Sequence, residues 1–145
     1  MELPQTFVRD GKTYQLDPLG KERLLKLADF LDELPEKNFN FGTVRRVSYE
    51  CGTVGCAVGW LPEVFPGDWV VSINGYAVDL IGCEYYSFRA AGEYFGITHQ
   101  ESKNLFDLQT NGPYEQLGFH LYRDVKAPTV AQVIREFVEG LPCSA

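Results

Sequence analysis

Leu24, Leu25, Leu27, Ala28, Leu31 and Leu34 recur at helical spacing. The pattern predicts an amphipathic helix capped by Asp17, with Pro18 in its first turn and Pro35 as its stop. Before it, Thr6 to Leu16 reads as two short β-favouring runs about Asp10-Gly11, a pair that suits a tight hairpin turn. Trp69 to Ile73 and Tyr76 to Leu80 flank Asn74-Gly75, which predicts a second hairpin on the strongest local signal a sequence offers. Tyr85, Phe88, Ala90, Ala91, Tyr94 and Phe95 then form an aromatic-rich helix that stops at Gly96, a residue suited to a C′ position. Thr98 and Glu101 match a capping box at the head of a short helix through Phe106. Thr129 is read as the cap of a last amphipathic helix carrying Val130, Val133, Ile134, Phe137 and Val138. Glu36 to Glu50 has no clear period, and Tyr114 to Tyr122 reads equally as a helical turn or an extended piece.

The segment from Cys51 to Trp60 breaks these rhythms. It holds Gly52, Gly55 and Gly59 with Cys51 and Cys56, and each glycine in an ordered element costs roughly 0.5–1 kcal/mol relative to alanine. Something must approach this stretch closely. Thr53, following Gly52, is read as the cap of a helix running to about Leu61 before Pro62. On that helix Gly55 and Gly59 share one face, open to a partner helix and to the aromatic rings of Tyr85, Phe88 or Tyr94.

Composition supports one domain. The chain has 145 residues, of which 45% are hydrophobic and 23% charged, within the range that buries a core without disulfide staples. The expected fold is a helix-dominated α+β single domain over residues 1–145, with one or two small β-hairpins and a flexible tail at 141–145. The net charge of -7 disfavours direct nucleic-acid binding, which needs clustered Lys and Arg. The carboxylates are dispersed, the pattern of solvated helix faces. The longest uncharged stretch, Cys51 to Pro62, is too short and glycine-rich to span a bilayer, and Met1-Glu-Leu-Pro carries no export signal. A cytoplasmic setting without membrane association is therefore expected, with the cysteines read as thiols before disulfides.

Three chemistries compete at the glycine-rich segment. Gly52 and Thr53 at a helix N-terminus, with Arg45 and Arg46 just upstream, form a candidate anion site, although the stretch lacks the Lys-Ser/Thr ending of an NTP-binding loop. Cys51 before a helix start is a candidate nucleophile; only His99 and His120 are available as bases. Cys51 and Cys56 are also weak candidate zinc ligands, with Cys83, His99, His120 and Cys143 forming no second close pair. No cofactor is expected. Tyr85, Tyr86, Tyr94, Tyr114 and Tyr122 suit either a binding patch or the core.

The run Cys51-Gly-Thr-Val-Gly-Cys-Ala-Val-Gly59 resembles the Cys-Gly-Thr-x-x-Cys-x-x-Gly motif of a group of small phage, prophage and bacterial proteins. The similarity extends over Leu24 to Leu34, Phe39 to Thr43, Trp69 to Leu80, Phe95 to Phe106 and Thr129 to Val138. Similar proteins often have histidine after the last glycine, where this chain has Trp60. The resemblance implies architecture and setting, namely the host cytoplasm for a phage-encoded chain, and no particular chemistry. Together these features predict a small soluble accessory protein, non-enzymatic, that binds a host protein or a small anionic ligand, either to interfere with a host pathway or to serve phage replication. The alternatives are a cysteine-dependent hydrolase using Cys51 and a zinc-stabilised structural domain.

Overall fold

A computed structural model describes residues 6–9, 12–15, 18–50, 52–85 and 87–139. The Asp10-Gly11 turn, the Asp17 cap, Cys51, Tyr86, Cys143 and the 141–145 tail lie outside the described residues. Strands β1 (Thr6–Arg9) and β2 (Lys12–Gln15) pair antiparallel with Arg9 opposite Lys12.

Helix α1 (Pro18–Glu33) buries Leu24, Leu27, Ala28 and Leu31. That stripe packs on α6 (Ala127–Val138), whose Val130, Ile134 and Phe137 are buried in turn. Arg135 on α6 binds Asp29 at 2.8 Å and Asp32 at 2.6 Å across the α1–α6 seam. These two acids one turn apart raise the Arg135 pKa through their hydrogen bonds. Helix α6 starts two residues before the expected cap: Pro128 occupies the first turn and Thr129 lies inside the helix. Proline fits there because a first-turn N–H has no intrahelical partner to lose.

Helices α3 (Ser87–Phe95) and α4 (His99–Phe106) pack against each other. Gly96 adopts a φ of +71° between them, the left-handed geometry that ends α3. The capping box is present, with the Glu101 N–H donating to Thr98 Oγ1 and the Thr98 N–H donating to Glu101 Oε1. The ambiguous region resolves into the short helix α5 (Pro113–Gln116) and a 3-10 turn at Tyr122–Asp124. Tyr114 is fully buried, and its hydroxyl donates to the Leu105 carbonyl.

Among the described residues the strands form three two-stranded antiparallel sheets. Strands β5 (Trp69–Val71) and β6 (Val78–Leu80) turn about Asn74-Gly75 as expected, with Gly75 at a φ of +79°. The remaining hairpin joins β3 (Arg45–Ser48) to β4 (Gly52–Gly55), with Arg45 opposite Gly55 and Ser48 opposite Gly52. It replaces the helix expected from Thr53. Helical backbone begins only with a 3-10 turn at Val58–Trp60, which leads into α2 (Leu61–Val64). Pro62 therefore stands in the first turn of α2 and does not end a longer helix. The architecture is a helix-dominated α+β fold, and its buried side chains gather into one cluster from α1, α3, α4, α6 and the segment 56–65, joined by Phe41, Trp69, Val78 and Tyr114.

Candidate functional site

The glycine-rich segment packs against its own chain. A Cβ on Gly59 would sit 1.5 Å from the Val44 carbonyl oxygen, and one on Gly55 would sit 2.4 Å from the same atom. Real Cβ contacts do not come under 3.0 Å, so both positions admit only glycine unless the backbone moves. The close neighbour is the backbone at the start of β3, where a partner helix was expected. Residues 38–43 complete the enclosure. The Asn40 N–H donates to the Gly55 carbonyl at 3.1 Å, the Cys56 N–H to Thr43 at 2.8 Å, and Asn38 Nδ2 to Thr53 at 3.0 Å. Trp60 Nε1 donates to the Asn38 carbonyl at 3.0 Å.

Arg45 is the polar centre of this knot. It is buried, and its two terminal nitrogens fork onto the Glu63 carboxylate at 2.6 and 2.8 Å. Nη1 also donates to the Gly59 carbonyl at 2.8 Å, and the guanidinium lies 5.7 Å from the centre of the Trp60 ring. A bidentate Arg–carboxylate pair is the geometry in which guanidinium is best satisfied. The positive charge that the candidate anion site required is thus already neutralised inside the fold.

The other members of that site do not converge on Arg45. Arg46 is exposed and lies next to Arg45 in β3, and successive strand residues project to opposite faces. Gly52 and Thr53 pair with Ser48 and Val47 in the ladder. The helix N-terminus on which the anion reading depended is absent, because these residues lie in a strand.

Burial pushes the Cys56 thiol up to about 11 from 9.0, which leaves little thiolate at neutral pH. His99 is exposed on the first turn of α4, where partial desolvation of the ring and then the charges of Lys103 and Arg89 lower its pKa; His120 is also exposed. Among the described residues no three His, Cys, Asp or Glu side chains are grouped to hold a metal ion, and Cys51 lies outside them. Of the five tyrosines considered for a patch, Tyr94 and Tyr114 are core residues, while Tyr122 is exposed and packs over Gly42.

A different surface stands out. On the β5–β6 hairpin, Trp69 and Val78 are buried, but Ile73 is 108%, Tyr76 68%, Ile81 59% and Val70 44% exposed. The hairpin leads into an open cleft of about 600 Å³ lined by Arg23, Leu80 to Tyr85, Glu93 and Tyr94. Arg23 lies 3.8 Å over the Tyr94 ring and donates to the Tyr94 carbonyl at 2.8 Å. The Tyr94 hydroxyl donates to Asp68, and burial followed by this hydrogen bond raises its pKa. The Asn-Gly turn identified this hairpin in the sequence, but its exposed faces become visible only once the register is known. No protein-family model, curated protein or solved structure matches the chain. Among the described residues, no helix is long and apolar enough to cross a membrane.

Proposed function

We propose that this chain is a binding protein of the phage- or prophage-accessory type, and that its β5–β6 hairpin engages a host protein. The observation that carries the reading is the group of exposed aliphatic and aromatic side chains at Val70, Ile73, Tyr76 and Ile81. Isolated apolar residues on a surface need no explanation, whereas several on one small hairpin mark an interaction surface. Tyrosine and isoleucine at the turn offer contact area with few rotatable bonds. The phage-accessory setting rests on the Cys-Gly-Thr motif alone. Of the two ligand classes expected from the sequence, a host protein is preferred over a small anion because Arg45 is already bound by Glu63.

The test is site-specific photocrosslinking of the full chain in bacterial cells, with the photoreactive residue at position 73, 76 or 47. Val47 is exposed on the β3–β4 hairpin and serves as the comparison. Discrete adducts from 73 and 76, lost in the Val70→Ser/Ile81→Ser variant, are expected. Adducts from 47 alone, or none from any position, overturn the reading.

A further inference from the structure

Resting on the reading of the β5–β6 hairpin as a docking surface, we infer that the partner segment it takes is cationic, with Lys or Arg alternating with apolar side chains. The register places Val70 directly opposite Asp79, so both project from the same face. Ile81, two residues beyond Asp79 and just past the end of β6, is also exposed. The outer surface of the hairpin therefore presents an acid beside the aliphatic Val70, with Ile81 following it in the chain.

The stretch of chain that forms the hairpin carries charge of one sign. No Lys, Arg or His occurs between Arg46 and Arg89, whereas Glu63, Asp68, Asp79 and Glu84 all fall in that interval. Glu63 is held by Arg45 and Asp68 accepts from Tyr94. Among the described residues Asp79 and Glu84 have no ion-pair partner. Glu84 and Glu93 also line the cleft beside the hairpin, opposed by Arg23, whose guanidinium is stacked on Tyr94. Apolar anchors rimmed by unpaired carboxylates are complementary to a basic, apolar segment. A second copy of this chain, with a net charge of -7, would meet this rim with an excess of like charge, which interfaces avoid. Nucleic-acid phosphates and anionic lipid headgroups carry the same sign as this rim and are repelled by it.

The probe is a ten-residue peptide alternating Lys and Val, titrated into the isotopically labelled full chain and followed by amide NMR shifts. Peptides alternating Glu with Val and Lys with Ser serve as comparisons. The Lys-Val peptide is expected to shift amides between residues 70 and 85 and to bind at least fivefold more weakly to the Asp79→Asn/Glu84→Gln variant. It should also weaken as salt rises, while the Lys-Ser peptide binds at least tenfold more weakly and the Glu-Val peptide does not bind. Equal shifts along α1, equal binding of the Glu-Val peptide, or concentration-dependent dimerisation of the chain alone would overturn the inference. If crosslinking from position 73 is unchanged in Asp79→Asn/Glu84→Gln, the docking surface stands and the charge rule falls.

Discussion

The β3–β4 and β5–β6 hairpins are of similar size and opposite use. In the first, Gly55 of β4 and Gly59 beyond it are pressed onto the Val44 carbonyl, and the buried Arg45 of β3 is closed by Glu63. In the second, Trp69 and Val78 anchor the inner face while Ile73 and Tyr76 stand in solvent. The first hairpin commits its glycines and Arg45 to holding the chain together, and leaves Val47 and Tyr49 exposed near its turn. The second needs only two buried anchors, which frees its remaining apolar side chains for contact. An unusual motif is therefore not by itself a functional site; here the glycine-rich one is explained by packing against its own chain.

Substitution at Gly59 tests the contrast most severely. Gly59→Ala drives a methyl into the Val44 carbonyl and should destabilise the fold by about 3 kcal/mol or more, at the upper end of overpacking effects. Denaturant melts should show it, and an unchanged midpoint would mean that the enclosure is not tight.

The alkaline limb of the stability curve is the next probe. The Cys56 thiol ionises near 9.0 when unfolded and near 11 when folded, so its contribution is complete below pH 9 and is lost as pH rises through 11. That amounts to on the order of 2 kcal/mol. Cys56→Ala should flatten the decline of stability between pH 9 and 11, a comparison made within one pair of proteins because Tyr94, also raised, acts in the same direction. An identical slope in both proteins would place the thiol in water.

Glu63→Gln should cost about 1–2 kcal/mol, because Arg45 then keeps a buried charge without its counter-charge. The figure is below that of a wholly buried pair because the Glu63 side chain is 38% exposed. In contrast, Ile73→Ser/Tyr76→Ser should change the melting free energy by less than about 0.5 kcal/mol. A larger loss would make the second hairpin structural as well and erase the difference between the two.

Local chemistry made part of this fold legible in the sequence. The Thr98–Glu101 box, the Asn74-Gly75 turn and the leucine stripe of α1 each act within a few residues, and each stands where it was expected. The β3–β4 hairpin was not legible. Thr53 suits a helix cap and a strand alike, and β4 shows no apolar alternation because Gly52 and Gly55 have no side chains to reveal it. Pro62 reads as a helix stop from one side and as a first-turn residue from the other. The anion site failed for a related reason: Arg45 and Glu63 are 18 residues apart, and no sequence period links them. Likewise the start of α6 follows Pro128 and not the cap chemistry of Thr129.

Amide hydrogen exchange on the free chain tests the central claim directly, because it reads both hairpins in one sample. The Cys56 N–H, bound to Thr43 inside the enclosure, should exchange only through global unfolding. The Ser72 and Ile81 amides, bound within the exposed hairpin to Ala77 and Asp68, should exchange through local opening at least tenfold faster. A Cys56 amide that exchanges as fast as those of the β5–β6 hairpin would contradict the account, since the glycine-rich segment would then be open and not the closed centre of the fold.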